Sequence, residues 1–178
     1  YLASFGPAAG ADLQWWAGWT VGTTKQALAD VAAAAVTMDD IDDDGRVATV
    51  DGWVLPDDPA VVGGDEYGAE PWVALLPSLD PTIMGWKRRA WYLGDLTTFG
   101  GPLFDRNGNA GHSIWADGEV VGTWVQRSTG EIVTHLFRDV GRSVRASITA
   151  AAADLQRLLG EYRISPRYPA PIQAELLA

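Results

Sequence analysis

The densest mixture of cationic and aromatic side chains in this sequence lies between residues 86 and 92. Lysine and arginine neutralise phosphates, and aromatic rings stack on bases or sugars, so this stretch is the first candidate for contact with a nucleic acid. In the alternative, the tryptophans are core residues and the cationic groups form surface ion pairs. The residues are Trp86, Lys87, Arg88, Arg89, Trp91 and Tyr92.

Two shorter polar groups could also hold a phosphate. Thr24, Lys25 and Gln26 lie near the start of a predicted helix, at the position from which a helix-turn-helix contacts DNA. The acidic hairpin that follows would face phosphates at a cost, so an architectural or protein-facing role is an open alternative. Arg106 and Asn107 could donate to phosphate, although their sequence, DRNGN, is equally typical of a turn.

An acidic stretch partly matches a calcium-binding EF loop. Asp40, Asp42, Asp44, Gly45 and Asp51 occupy positions 1, 3, 5, 6 and 12 of such a loop. The flanks have the composition of strands, however, and an aspartate replaces the bidentate glutamate at position 12. We therefore favour a solvated hairpin tip over a calcium site.

Other chemistries find little support in the sequence. It contains no cysteine, which excludes thiolate zinc sites and cysteine nucleophiles. His112 and His135 are far apart in the sequence and form no metal-ligand spacing. A phosphate-cradling glycine loop and a GxSxG elbow are also absent. We predict no cofactor, and we expect most of the nine tryptophans to lie in the core.

Charge is the main argument against a nucleic-acid partner. The chain carries a net charge of −10, whereas a polyanion is held chiefly by lysine and arginine. Residues 1–80 hold two basic and fourteen acidic residues, net −12, and residues 81–178 hold eleven basic and nine acidic residues, net +2. We therefore expect the second half to carry the polyanion-binding surface.

The composition is that of a globular protein, with 47% hydrophobic and 20% charged residues. No apolar run approaches the roughly 18–20 residues of a membrane span, and the start lacks a signal-peptide pattern. We predict a cytoplasmic protein without a membrane partner, and the composition leaves its oligomeric state open. Because the chain begins at Tyr1, we expect further residues upstream.

Helix and strand patterns divide the chain in two. Pro7 and Gly18 bound a predicted helix, a second follows from about Thr20, and a hairpin comes next, which together are the pattern of a winged helix-turn-helix. A linker rich in Asp, Gly and Pro covers residues 59–71. Residues 113–137 predict an antiparallel meander with turns at Asp117-Gly118 and 128–130.

Apolar residues from Val140 to Leu159 then recur at helical spacing, which predicts a helix packed on the sheet. The predicted organisation is a winged helix at 1–58, the linker at 59–71, and an antiparallel β domain with a C-terminal helix at 72–178. The fold class is α+β.

Three long stretches carry a family resemblance. FGPAAGADLQWWAGW, ALLPSLDPTIMGWKRRAWYLG and LFDRNGNAGHSIWADGEVVGTW resemble the C-terminal part of the winged-helix DNA-binding family that includes the AlkZ/YcaQ-like, crosslink-repair DNA glycosylases. The resemblance implies tandem winged helices closed by a β-barrel-like domain, of which this chain would hold the last winged helix and the β domain. It also implies DNA as partner, together with upstream winged-helix domains of the same protein.

The resemblance transfers no catalytic residue to this chain. The glycosylases of the family carry a Gln-x-Gln or Gln-x-Asp pair near their N-terminus, and no such pair occurs here. The leading hypothesis is therefore a bacterial DNA-repair protein whose segment binds DNA without catalysis, any glycosylase activity lying upstream. The alternative is a structural or protein-interaction module without DNA affinity of its own. The glutamines are Gln14, Gln26, Gln126, Gln156 and Gln173.

Overall fold

The computed structural model describes residues 1–41, 46–58, 70–97, 101–166 and 169–178. The chain forms two compact units. Unit 1 comprises Tyr1–Gly68 and Gly85–Trp91, and unit 2 comprises Ala69–Met84 and Tyr92–Ala178.

Unit 1 has three helices followed by a hairpin. The second helix ends at Gly18, whose φ of +65° is left-handed and therefore suits glycine, as predicted. The third begins after Thr20, whose hydroxyl oxygen accepts from the backbone N–H of Thr23. The elements are α1 Leu2–Phe5, α2 Gly10–Ala17, α3 Val21–Asp30, β1 Ala34–Ile41 and β2 Val47–Val54.

The two strands of unit 1 are antiparallel, with Ala34 opposite Val54 and Ile41 opposite Val47. A small apolar core joins the helices to the second strand. Its buried residues are Leu2, Ala8, Leu13 and Leu28, and Tyr1, Ala33, Trp53, Leu55 and Trp86 pack against them.

Unit 2 is built on a four-stranded antiparallel sheet in which the strands lie side by side in chain order. The predicted meander is confirmed as the last three strands of this sheet. Asp117 and Gly118 both have positive φ at the predicted tight turn. The elements are β3 Val73–Leu76, α4 Pro81–Met84, α5 Ala90–Leu93, β4 Ser113–Ala116, β5 Glu119–Gln126, β6 Ile132–Leu136, α6 Gly141–Leu159 and α7 Pro171–Leu177, with a short 3-10 helix at Gly94–Thr97.

Helix α6 packs on this sheet, as its apolar spacing predicts. Val144, Ile148 and Leu155 lie against a core that contains Ile114 and Trp124. Leu158, which the spacing also placed on this stripe, is instead 83% exposed. The C-terminal tail ends in α7 and is fixed by Gln173, whose side-chain amide donates to the backbone oxygen of Trp124.

The molecule is therefore α+β with antiparallel sheets, as predicted. The expected barrel is not formed by the described residues, because β3 and β6 are the two edges of an open sheet. The predicted domain boundaries stay a prediction. Residues 85–91, which they assign to the second domain, are part of unit 1, since Trp86 packs on its core.

One buried histidine links the stability of unit 2 to pH. His112 is 2% exposed and stacks on Trp124 with 4.1 Å between ring centroids. Its Nδ1 lies 3.1 Å from the backbone oxygen of Trp124, an acceptor, so this nitrogen carries the proton and donates. Burial lowers the pKa of His112 below its ordinary value, against an opposing effect of that hydrogen bond.

The folded state binds a second proton on His112 less readily than the unfolded chain does. The contribution of His112 to the free energy of unfolding is therefore fully present above about pH 6.5 and is lost as the pH falls below that value. We expect the urea midpoint of the wild type to fall between about pH 7.5 and 5.5, and the fall to be smaller in His112→Phe. His135→Gln is the control and should keep the wild-type fall. Identical pH profiles for wild type and His112→Phe would contradict the assignment.

Candidate nucleic-acid interface

A buried carboxylate anchors the cationic stretch within unit 1. Asp12, in the first turn of α2, is 2% exposed. One of its oxygens accepts from the backbone N–H of Ala9 at 3.1 Å, and the other accepts from the backbone N–H groups of Lys87 at 2.9 Å and Arg88 at 3.3 Å. The backbone of the stretch is therefore fixed while the side chain of Lys87 stays exposed.

The two arginines of the stretch have different surroundings. Arg88, whose side chain is 54% exposed, lies 2.6 Å from the buried carboxylate of Asp40 on β1. Arg89 is buried, donates from Nε to the backbone oxygen of Trp86 at 3.0 Å, and places its guanidinium 5.3 Å from the ring centroid of Trp15. One arginine therefore faces a carboxylate and the other an aromatic ring.

Unit 1 carries a continuous cluster of aromatic rings. Successive ring centroids lie 5.1 to 6.5 Å apart, and Trp86 is fixed further by donating from Nε1 to the backbone oxygen of Phe5. The aromatic cluster consists of Tyr1, Phe5, Trp15, Trp16, Trp86 and Trp91.

Several tryptophans predicted to lie in the core are at the surface instead. Trp15, Trp16, Trp19, Trp72 and Trp91 are each at least 40% exposed. Four of these five belong to unit 1, whose small helices cannot enclose so many large rings. An exposed aromatic surface is thus a feature that the sequence analysis missed.

A cleft opens beside the cationic stretch. Its volume is about 310 Å³, and aromatic, acidic and cationic side chains line it together. The lining residues are Phe5, Gly6, Pro7, Asp12, Met38, Asp39, Asp40, Trp86, Arg88 and Trp91.

The predicted contact residues of α3 are also part of unit 1. Lys25 and Gln26 are exposed, and the amide of Gln26 donates to Asp30 at 2.7 Å. Thr24 is buried, and its hydroxyl donates to the backbone oxygen of Thr20 at 3.0 Å. Its side chain therefore stabilises the helix and is not presented to a partner.

Arg106 and Asn107 lie in unit 2 at an exposed turn. Asp105 accepts from the backbone N–H groups of Asn107 at 2.8 Å and Asn109 at 2.9 Å, and from the side-chain amide of Asn109. The hydrogen bonds from Asn109, followed by those from Asn107 and Gly108, lower the pKa of Asp105. The turn interpretation accounts for this sequence, because the aspartate organises the loop.

Neither folded unit carries the net positive charge that the second half of the sequence has. Because Lys87, Arg88 and Arg89 pack in unit 1, that unit holds five basic and twelve acidic residues, net −7, and unit 2 holds eight and eleven, net −3. Both units are acidic. Arginines beyond residue 80 that lie within ion-pair distance of a carboxylate include Arg88, Arg127, Arg138, Arg145 and Arg157.

The calcium-loop pattern falls partly outside the described residues, which omit Asp42 and Asp44. Asp40 faces Arg88, and Asp51 is exposed on β2. In the described parts of the chain, no group of three or more His, Cys, Asp and Glu could hold a metal ion. The flanks are strands, as predicted, whereas an EF loop joins two helices.

Comparison with known proteins agrees with the predicted family. The family described as DNA glycosylase AlkZ-like matches residues 1–158. Among solved structures, Streptomyces sahachiroi DNA glycosylase AlkZ is similar, with a TM-score of 0.55 and 20% identity over 94% of this chain and 43% of that chain. This chain thus spans less than half of that protein's length, and the likeness concerns the fold.

No curated protein matches the chain. Within the described residues, no helix is both long and apolar enough to cross a membrane. The family match covers most of the sequence, including the three Trp-, Pro- and Gly-rich stretches. The chain belongs to the AlkZ-like DNA glycosylase family.

Proposed function

We propose that this chain is a DNA-binding region of a cytoplasmic bacterial DNA-repair protein, and that the surface formed by residues 86–91 of unit 1 holds the DNA. The observation that carries the proposal is the fixed backbone of Lys87 and Arg88 on Asp12. It presents an exposed lysine, an ion-paired arginine and an exposed tryptophan together. Such a mixture suits phosphate contact combined with stacking.

The order of elements in unit 1 supports a winged helix. Helices α2 and α3 meet at the turn after Gly18, and the β1–β2 hairpin follows as the wing. In this interpretation α3 is the helix nearest the major groove, and Lys25 and Gln26 are the side chains that it offers. A single lysine provides a weak grip, so residues 86–91 contribute most of the affinity.

Base excision belongs, in this proposal, to other parts of the full-length protein. The chain contains no Gln-x-Gln or Gln-x-Asp pair. Three of its glutamines serve the fold: Gln126 accepts from the backbone N–H of Ile164, Gln156 from that of Ile132, and Gln173 from that of Ala170. Release of an alkylated base by the full-length protein, and none by residues 1–178, is the expected assay result.

Fluorescence-anisotropy titration of the 178-residue chain with labelled duplex and branched DNA at low salt tests DNA binding directly. We expect saturable binding that weakens as salt rises, because phosphate contacts release counterions. Absence of binding at high micromolar protein would reject the proposal for this chain.

Lys87 should contribute a phosphate contact. We expect Lys87→Ala to weaken DNA binding about threefold to tenfold near 50 mM salt and to reduce the salt slope by about one. Arg157→Ala is the matched control, because Arg157 is exposed on α6 and paired with Asp154. An unchanged salt slope in Lys87→Ala would remove this residue from the interface.

A second candidate function is a protein-interaction module without DNA affinity. The net negative charge of both units and the pairing of several arginines with carboxylates favour it. It predicts no response to DNA in the anisotropy titration, so the same experiment separates the two candidates.

A further inference from the structure

The cleft of unit 1 is lined by aromatic rings that pack against one another, and of these Trp91 is 41% exposed. Trp86 is approached nearly edge-on by Phe5, with centroids 5.3 Å apart, and by Trp91, with centroids 5.2 Å apart. The volume of about 310 Å³ is at the lower end of the roughly 300–1,000 Å³ of small-molecule sites. One heterocycle of the size of a nucleobase fits such a space better than a larger ligand.

Charged residues also line the cleft: the carboxylates of Asp12, Asp39 and Asp40, and the guanidinium of Arg88, which pairs with Asp40. Asp39 is exposed and lines the cleft, where its carboxylate can accept from an amino group or a ring N–H of a base. Arg88 also lines the cleft with a side chain 54% exposed, and the exposed Lys87 precedes it. A base stacked on the exposed face of Trp91 would therefore have these two cationic side chains nearby for its phosphate.

Duplex DNA cannot use these walls, because its base faces are already stacked on one another. Its affinity would depend on phosphate neutralisation, and unit 1 is acidic with a net charge of −7. A single strand carries phosphates as well, but its unpaired bases can in addition stack on an aromatic ring. The aromatic cleft should therefore bind an unpaired base more tightly than a base within a duplex.

From this geometry we propose that the cleft binds an unpaired nucleotide of DNA, with Trp91 as a stacking residue and Arg88 as the phosphate contact. The inference rests on the proposed DNA-binding function and names the form of DNA that this surface prefers. It gives the chain a means to favour single-stranded, gapped or branched sites over intact duplex.

Competition between a short single strand and the duplex of the same sequence tests the preference. We expect the single strand to bind at least about tenfold more tightly than the duplex, and Trp91→Ala to lose about tenfold for the single strand and so to remove most of that preference. Trp91→Phe, which keeps a ring, should recover most of the affinity. Trp72→Ala is the control, because Trp72 is equally exposed, at 41%, but lies in unit 2.

A measurement on the wild type makes the test independent of variant folding. The nine tryptophans give nine indole N–H signals in a nitrogen-15 correlation spectrum. We expect the single strand to shift the signals of Trp86 and Trp91 and to leave that of Trp72 in place. Shifts confined to other tryptophans would overturn the inference even if DNA binds.

The outcomes separate the two proposals. Equal affinity for single strand and duplex would overturn the inference and leave the proposed function intact, whereas no binding to either form would overturn both. Concentration-dependent self-association that Trp91→Ala abolishes, without any effect on DNA affinity, would make the cleft a protein contact and would also overturn the inference.

Discussion

Replacement of Asp12 by alanine should lower the free energy of unfolding by about 3–5 kcal/mol and should abolish measurable DNA binding. Its buried carboxylate accepts from the backbone N–H groups of Ala9, Lys87 and Arg88. Hydrogen bonds to a charged group contribute roughly 1.5–3 kcal/mol each, and a buried N–H left without its acceptor costs about 1–3 kcal/mol. Alanine provides no acceptor, so the start of α2 and the cationic stretch are both released.

Urea unfolding followed by circular dichroism measures the stability change, and the anisotropy titration measures the loss of binding. Asp12→Asn should lose less stability, because its amide keeps one acceptor oxygen. Asp30→Ala is the control: this exposed residue accepts from the Gln26 amide, and its loss should cost no more than about 0.5 kcal/mol. If Asp12→Ala unfolds at the same urea concentration as Asp30→Ala, the anchoring role is wrong.

The sequence predicted those elements whose signals are local. The end of α2 at Gly18 and the turn at Asp117-Gly118 require positive φ, which glycine adopts without strain. The positions of these glycines in the sequence were therefore enough to predict both features. The packing face of α6 followed from helical spacing, apart from Leu158 at its exposed end. The barrel was expected from kinship, and local patterns in the sequence could neither support nor reject its closure.

The position of residues 85–91 depends on long-range contacts that no local pattern encodes. Asp12 and Lys87 are 75 residues apart in the sequence, and their contact joins a helix start to an irregular segment. An aspartate three residues after a helix N-cap predicts only a capping interaction. Only the tertiary fold makes Asp12 an acceptor for the backbone N–H groups of Lys87 and Arg88. The same contacts place the basic stretch in the acidic unit.

The candidate site was predicted in its chemistry and not in its arrangement. The residue types at 86–91 indicated phosphate contact and stacking, with core tryptophans as the alternative. Each interpretation fits one tryptophan: Trp86 packs on the core, and Trp91 is 41% exposed. Asp39 and the aromatic rings of α1 and α2 were missed as neighbours of this stretch. The accumulation of tryptophans in a small unit was the available signal, because such a unit cannot bury them all.

Trp124→Ala should be the most destabilising substitution in unit 2, at about 4–5 kcal/mol. The side chain is 1% exposed, stacks on His112, and donates from Nε1 to the backbone oxygen of Leu76 at 2.9 Å. Truncation of a buried tryptophan costs roughly 3–5 kcal/mol, and the carbonyl left without its donor increases the loss. Because domains are stable by only about 5–15 kcal/mol, much of the variant should be unfolded near 37 °C.

A graded series distinguishes packing from hydrogen bonding at this position. Trp124→Phe keeps a ring against His112 and loses only the donor and part of the volume, so we expect about 1–3 kcal/mol. Trp72→Ala, at an exposed tryptophan of the same unit, should cost less than about 1 kcal/mol. If Trp124→Ala matched Trp72→Ala in urea midpoint, the core of unit 2 could not be the one described. DNA affinity at temperatures where Trp124→Phe is folded should equal that of the wild type, since the proposed interface lies in unit 1 and its residues are unchanged.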